Sequence, residues 1–218
     1  MTGLVGFILV LLALGNLLLL GTNRVRACIR IVAFQGVALG ILPLIAWPEA
    51  NTFRPIFVAT ISVALKGIIF PWFLFRALRG MTVRREVEPF VGYTLSIIAG
   101  LACLGVGIWF AAQAPLPMTP RISPLAVPIA FATILTGLFV IVSRKKALTQ
   151  LLGYLVLENG IFAFAFSLNI EAGFLVEMGI LLDAFFAVVV MGVAISHIHR
   201  TFDAIDSDLL SMLKDTVS

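Results

Sequence analysis

The sequence predicts an all-α integral membrane protein, a bundle of seven transmembrane helices with the N-terminus outside and the C-terminus in the cytoplasm. Of its 218 residues, 61% are hydrophobic and only 12% are charged, whereas a soluble domain is roughly 45–50% apolar and about 25% charged. The apolar residues form runs that approach the ~20 residues a helix needs to cross the hydrocarbon. Basic loops alternate with loops that carry few cations, as in multi-pass proteins.

Seven apolar runs qualify as spans, and short polar or proline-bearing segments separate them. In chain order the predicted spans are about 3–22, 28–47, 54–76, 90–112, 124–142, 148–168 and 174–197. The first run has no basic residues before it and no small-residue cleavage site after it, so we expect a retained span rather than a signal peptide. Small residues recur every four positions on two spans, where they favour close helix packing in lipid. They are Gly36 and Gly40 on the second span, and Gly92, Ser96 and Gly100 on the fourth.

The orientation follows from the basic loops, which remain cytoplasmic in membrane proteins. Cations cluster after the first, third and fifth spans. The three clusters are Arg24, Arg26 and Arg30; Arg76, Arg79, Arg84 and Arg85; and Arg144, Lys145 and Lys146. The net charge of +4 therefore indicates membrane orientation, and no nucleic-acid partner is expected.

Four segments are expected. Residues 1–89 form an N-terminal three-helix unit, and 90–123 hold the connecting fourth span and its loop. Residues 124–200 form a second three-helix unit, and 201–218 form a cytoplasmic tail. The tail is expected to be an amphipathic helix, because its apolar residues follow helical spacing.

Three ionisable residues fall near mid-depth of their predicted spans, namely Lys66, Glu158 and Asp183. An ionisable side chain inside a bilayer costs at least ~2.5–3.5 kcal/mol on insertion scales, so it is by default a candidate for function. We interpret these three residues as proton-transfer groups. The alternative is a static ion pair that fixes helix register, with Lys66 paired to Glu158 or Asp183.

Four further residues are possible relay members. Gln150 and Tyr154 precede Glu158 at four-residue steps and share its helix face. His197 shares a face with Asp183 but would lie at the inner interface, where a solvated role is the alternative. Glu177 would lie about one turn from the outer surface, which also suits a rim residue.

The sequence has no glycine-rich phosphate loop, H-E-x-x-H, G-x-S-x-G or CxxC motif. Its loops are too short to build a conventional active site outside the membrane. We therefore expect no catalytic residue, no metal ligand and no cofactor. Three classes of function remain: a proton-conducting subunit of a redox-driven membrane complex, an independent secondary transporter, and a structural membrane anchor.

The run VSRKKALTQLLGYLVLENGIFAFAF, followed by SHIHRTFDAIDSDLLSML, resembles the K subunit of respiratory complex I and the C subunit of multisubunit cation/proton antiporters. With four additional N-terminal spans, the whole chain resembles the hydrogenase-4 component E family. There are departures from the K subunit. Its middle-helix glutamate would fall at Tyr154 or Leu155, one turn before Glu158, and its last-helix glutamate would fall near Phe185 rather than Asp183.

The resemblance implies a non-catalytic membrane subunit of a nickel-iron hydrogenase or formate hydrogenlyase complex, in a bacterial or archaeal cytoplasmic membrane. It implies antiporter-like and other membrane-arm subunits as partners, with lipid around them. It also implies a contribution to proton translocation. A structural scaffold of that complex and a cation/proton antiporter subunit are the alternatives.

Overall fold

The chain is all-helical throughout the part that the computed structural model describes, which is residues 2–46, 53–79, 90–113 and 123–168, together with residue 179. The helices are α1 (Thr2–Gly21), α2 (Val25–Ala46), α3 (Phe53–Ala64), α4 (Phe70–Arg79), α5 (Tyr93–Gln113), α6 (Ala126–Ser143) and α7 (Ala147–Ser167). A π-helical turn, Leu65–Ile69, joins α3 to α4. These two helices and the turn form one continuous span.

Six helical segments in the described ranges are long and apolar enough to cross a membrane. They correspond to the first six predicted spans, and their ends lie within about three residues of the predicted ones. This is the architecture of a multi-pass membrane protein. The predicted seventh span (174–197) and the tail (201–218) lie outside the described residues, and the orientation remains a prediction.

Helices α1, α2 and α6 each contact three other spans in the described ranges. Helix α1 contacts α2, α5 and α6, whereas α2 contacts α1, α7 and the whole span made of α3, the π turn and α4. Helix α7 packs against α6 and α2. The third span and α7 therefore both pack against α2, although 67 residues (80–146) lie between them in sequence.

Glycines bring α6 and α7 into backbone contact. A Cβ added to Gly160 would lie 2.6 Å from the backbone nitrogen of Ile134, and one added to Gly153 would lie 2.8 Å from the backbone nitrogen of Ile141. Gly137 faces the backbone of Leu157 in the same way. Small residues at helix interfaces allow this close approach in lipid, where packing drives association.

The predicted packing role of small residues is confirmed at Gly36, Gly40 and Gly100 and wrong at Gly92, and the fifth residue, Ser96, is fully buried on α5. A Cβ at Gly100 would meet Leu20, and a Cβ at Gly40 would meet Val63 and Ser62. Gly36 packs against Lys66. Nothing lies within 4 Å of an added Cβ at Gly92, because this residue precedes the start of α5.

Two buried apolar clusters occupy opposite ends of the bundle. The basic-end cluster lies near the loops that carry Arg24 and Arg144. It comprises Leu19, Leu20, Val25, Cys28, Ile29, Val32, Phe70, Leu74, Leu78, Val140, Leu148, Leu151, Leu152, Leu155 and Val156. The far-end cluster comprises Val5, Leu9, Leu12, Leu39, Leu42, Ala126, Ile129, Ala130, Ala163 and Phe166. On α1, α2, α6 and α7 the two clusters leave a gap at the middle of the helix.

Candidate functional site

Buried polar side chains fill the level between the two apolar clusters. On each helix that contributes to both clusters, the polar residue lies between the last residue of one cluster and the first of the other. We call this set the polar layer. It comprises Asn16, Gln35, Lys66, Thr133, Thr136, Glu158 and Asn159, all of them buried. The apolar clusters shield this layer from both ends of the bundle.

An ion pair between the third span and α7 lies in the polar layer. Lys66 Nζ lies 2.6 Å from Glu158 Oε1, and the two side chains are only 9% and 4% exposed. Asn159 Oδ1 accepts a second hydrogen bond from Lys66 Nζ, at 3.4 Å. The ring centroid of Phe162, one turn further along α7, lies 5.6 Å from the same nitrogen. Lys66 Nζ is thus surrounded by a carboxylate, an amide oxygen and an aromatic ring, which are the groups that an ammonium binds.

Glu158 is the only acidic residue within the described ranges, and its two oxygens have different surroundings. Oε1 binds Lys66, whereas Oε2 is buried and accepts no hydrogen bond. A buried charge is stabilised only when its partners satisfy it, and an unpaired buried polar atom costs about 1–3 kcal/mol. Oε2 is therefore an open acceptor within the bundle.

The π turn explains how Lys66 is presented to α7. Pro71 lacks an N–H group, and its ring conflicts with the carbonyl four residues earlier in a regular α-helix. The wider turn that precedes it absorbs this conflict, and the Phe70 N–H donates to the Leu65 carbonyl. Single π turns inside α-helices occur frequently at functional sites. Here the turn contains the lysine of the ion pair.

A glycine on α2 allows the third span to approach. An added Cβ at Gly36 would lie 2.6 Å from Lys66 Cβ and 3.2 Å from Lys66 Cδ. The aliphatic stem of the lysine therefore lies directly against the α2 backbone. Gly67, beside Lys66, faces Val37 of α2 in a similarly close contact.

A small cleft of about 10 Å³ adjoins the ion pair and is lined by Lys66 and Asn159. This volume is roughly what one water molecule needs. The remaining lining residues lie on α2, α4 and α7, and most of them belong to the basic-end cluster. They are Ile29, Val32, Ala33, Phe70, Pro71, Leu74 and Leu155. The cleft thus extends from the ion pair toward the basic end of the bundle.

A second set of polar contacts joins α1, α2 and α6 at the same level. It consists of the amides of Asn16 and Gln35 and the hydroxyl of Thr133, and we call it the amide triad. Gln35 Nε2 donates to Asn16 Oδ1 at 3.0 Å and to the Leu12 carbonyl at 3.2 Å. Asn16 Nδ2 donates to Thr133 Oγ1 at 2.9 Å. Thr133 Oγ1 in turn donates to the Ile129 carbonyl at 2.7 Å. The triad ends at Gln35 Oε1, a buried oxygen that accepts no hydrogen bond.

The structure brings together two of the predicted proton-transfer residues, Lys66 and Glu158. The third, Asp183, lies outside the described residues, as do His197 and Glu177. Tyr154 packs, partly buried, against the basic-end cluster. Gln150 Nε2 donates to the Arg144 carbonyl at 2.9 Å, so its amide helps to close the turn between α6 and α7.

The amide triad was not predicted from the sequence, because its members are uncharged. Asn16, Gln35 and Thr133 each look like a single tolerated polar residue in an apolar run. A signal was nevertheless present: each buried amide of the polar layer has a glycine as its sequence neighbour, as in Gly15–Asn16, Gln35–Gly36 and Asn159–Gly160. A glycine beside a buried amide indicates close helix approach at a polar contact.

Arg144 is a buried cation at the basic end of the bundle, only 2% exposed. Its Nη2 donates to the Leu20 carbonyl at 3.4 Å, and its guanidinium lies 5.9 Å from the ring centroid of Tyr93. Burial lowers the pKa of Arg144 from its ordinary value. A cation at the end of α1 complements the unpaired carbonyls there. Arg144 thus links the ends of α1 and α5 to the α6–α7 turn.

The described residues contain no group of three or more histidine, cysteine, aspartate or glutamate side chains that could hold a metal ion. They do contain a buried ion pair in which Glu158 Oε2 accepts no hydrogen bond, beside the amide triad. The fold and this site define a polytopic membrane protein with a polar layer inside an apolar bundle.

Relatives place this protein in a family. The chain is 36% identical over 207 residues to the uncharacterized protein Rv0085 of Mycobacterium tuberculosis, a match that covers 94% of this chain and 93% of that protein. The chain belongs to the same family as this mycobacterial protein. No family model matches the chain, and no solved structure matches it.

Part of the chain is also similar to hydrogenase-4 component E. The match to the proteins of Escherichia coli K12 and Shigella flexneri is 40% identical over 99 residues, which is 45% of this chain and 45% of each of theirs. This similarity supports a hydrogenase-4-related family for the chain.

Proposed function

We propose that this protein is a non-catalytic membrane subunit of a hydrogenase-related complex of the complex I type, and that its polar layer takes part in proton translocation. The similarity to hydrogenase-4 component E supports membership of a multisubunit membrane complex. Antiporter-like and other membrane-arm subunits are the proposed partners, and a formate hydrogenlyase-type assembly in the bacterial or archaeal cytoplasmic membrane is the proposed setting.

The observation that carries the proton role is the buried contact between Lys66 Nζ and Glu158 Oε1, with Oε2 left open. A salt bridge kept only for stability is poorly justified, because replacement of a buried pair by apolar residues is often neutral or stabilising. Ionisable groups inside membrane spans instead mark ion pathways and proton relays. In this proposal the pair lies near the membrane midplane and exchanges protons through the open oxygen.

The remaining predicted residues enter the proposal as later members of the pathway. Asp183 is proposed as a second midplane carboxylate, with Glu177 and His197 on either side of it along the predicted seventh span. Tyr154 is proposed as a hydroxyl that connects Glu158 to the basic end. The two three-helix units of the predicted domain division would then each contribute one partner of the ion pair.

A structural scaffold is the second candidate, and one specific observation favours it. The ion pair is closed between two apolar clusters, and Lys66 Nζ contacts Glu158, Asn159 and Phe162, all on α7. Such a pair fixes the register of two helices without any proton exchange. The two candidates differ in what happens when the charge of Glu158 is removed.

The test uses the assembly that copurifies with the tagged chain in mild detergent, reconstituted into liposomes with a pH-sensitive dye inside. In Glu158→Gln the carboxylate becomes an amide of similar size, so that the hydrogen bond to Lys66 is retained while the titratable group is lost. We expect proton translocation per electron to fall about tenfold or more, with redox activity retained. Lys66→Met should give the same loss, whereas Lys145→Met, which removes a loop lysine, should not.

Unchanged proton translocation by an intact Glu158→Gln assembly would reject the proton role and leave the scaffold. Copurification must be checked for each variant, since loss of partners would itself abolish translocation. A chain that purifies alone and is stabilised by a small-molecule substrate would instead indicate an independent transporter.

A further inference from the structure

Two buried oxygens in the polar layer accept no hydrogen bond, namely Gln35 Oε1 and Glu158 Oε2. Gln35 is 1% exposed and Glu158 is 3% exposed. Leaving a buried acceptor unsatisfied costs about 1–3 kcal/mol, and more when it is charged. Both oxygens therefore require a donor from within the bundle.

The hydrogen bonds that the structure shows within the layer do not reach these two oxygens. In the amide triad, the hydrogen bonds run from Gln35 through Asn16 to Thr133 and end on a helix carbonyl. Lys66 Nζ is directed at Glu158 Oε1 and Asn159 Oδ1. Both of these oxygens are acceptors, so the group that satisfies them must be a donor. A second cation would add to the charge of Lys66, which leaves a small neutral donor.

Two glycine contacts bring the amide triad and the ion pair to a common boundary. Gln35 is the sequence neighbour of Gly36, whose backbone contacts the stem of Lys66. Thr133 lies against Gly160, since an added Cβ there would be 3.0 Å from the Thr133 carbonyl carbon. Gly160 directly follows Asn159 of the ion pair. The triad and the pair thus adjoin each other on both α2 and α7.

We propose that a water molecule bound in the polar layer donates to Glu158 Oε2 and Gln35 Oε1. Water is the smallest neutral molecule with two donors, and a buried water typically makes about three hydrogen bonds to polar groups. The water would connect the ion pair to the amide triad. The ion pair lies between the third span and α7, and the triad lies between α1, α2 and α6.

The role of this water in proton exchange rests on the proposed function. When Glu158 is protonated, its Oε2–H donates to the bound water, and when Glu158 is ionised the water donates to Oε2, so that the water is held in both states. Gln35 Oε1 accepts a hydrogen bond throughout and is never protonated. Gln35 is therefore a positioning residue, which fixes the water at the open carboxylate oxygen.

The water site is tested on the full-length protein in lipid nanodiscs by infrared spectroscopy. A single water held between two buried acceptors gives a discrete O–H stretching band, which shifts when H₂¹⁸O replaces ordinary water. We expect this band in the wild type and its loss in both Gln35→Leu and Glu158→Leu. In Gln35→Glu an acceptor oxygen remains at the same place, so the band should persist. The matched control is Gln113→Leu, which removes an exposed amide at the end of α5 and should leave the band intact.

Persistence of the band in folded Gln35→Leu, or its absence from the wild type, would overturn the proposal. Should Gln35→Leu fail to fold, Glu158→Gln takes its place, because an amide nitrogen at the Oε2 position donates rather than accepts. The band should then be lost, and its persistence in Glu158→Gln would overturn the proposal. The spectrum is recorded on the resting protein, so it requires no proton translocation. A water band with Glu158-independent translocation would reject the proposed function alone, and Glu158-dependent translocation without the band would reject the water alone.

Discussion

Gly36 and Lys66 lie so close that a Cβ on the glycine would be 2.6 Å from the Cβ of the lysine. Real Cβ atoms do not approach to this distance, so α2 and the third span fit together only because position 36 has no side chain. The contact connects a packing residue to the ion pair. The position of the ion pair therefore depends on how closely α2 and the third span pack at Gly36.

Gly36→Ala should destabilise the protein by about 1–3 kcal/mol, the usual cost of overpacking a tight interface. The added methyl must push the third span away from α2, and Lys66 moves with it. The measurement is thermal unfolding of the purified protein in detergent. The matched control is Gly105→Ala, also in a helix, where nothing lies within 4 Å of the added Cβ. An equal effect at both positions would show that the close contact is not what matters.

A double-mutant cycle should reveal strong coupling between Lys66 and Glu158. Removal of one partner of a buried pair typically costs about 3–5 kcal/mol, because the remaining charge is left uncompensated. Lys66→Met and Glu158→Leu should therefore each be strongly destabilising. The double variant should be much closer to the wild type than the sum of the two. Equilibrium unfolding of the four proteins measures the coupling, and additive effects would contradict the ion pair.

Gly160→Ala should be more destabilising than Gly36→Ala. The atom nearest to the added Cβ is the backbone nitrogen of Ile134 on α6. A backbone atom in a helix cannot rotate away from the new methyl group as a side chain can. The new methyl must separate α6 from α7 along their length. The same thermal measurement and the same Gly105→Ala control apply. A smaller effect at position 160 than at position 36 would show that the two helices separate easily.

Arg144→Met should destabilise the basic end of the bundle by about 1–3 kcal/mol, because the Leu20 carbonyl loses its side-chain donor. The stem of the methionine retains much of the apolar packing, so the measured change reports mainly the lost hydrogen bond and charge. Lys145→Met is the matched control, since Lys145 is an exposed neighbour in the same turn. Equal unfolding temperatures for the two variants would argue against a linking role for Arg144.

The six described spans could be predicted closely because hydrophobic length alone determines where a membrane helix begins and ends. The runs around Leu9 and Leu155 are interrupted only at loops with basic or proline residues. The identity of the charged site was also accessible, since an ionisable group in such a run is conspicuous. The sequence alone therefore predicts Lys66 and Glu158 as site residues.

The partner of Lys66 could not be predicted, because helical periodicity gives the face of each helix but not its neighbour. From the sequence, Glu158 and Asp183 are equally good candidates for the partner of Lys66. The contact between α2 and α7 brings Glu158 to the lysine. The amide triad was missed for a related reason. An asparagine or glutamine costs far less than a charge in an apolar run, so Gln35 did not stand out until its bond to Asn16 was seen.

The close backbone contacts between α6 and α7 have a mechanical consequence. Gly137, Gly153 and Gly160 hold the two helices together along most of their length. We therefore expect the two helices to move as one rigid unit. Any tilting that carries Glu158 would then carry Thr133 by the same amount. A partner subunit that pushes on either helix would shift both ends of the polar layer in concert.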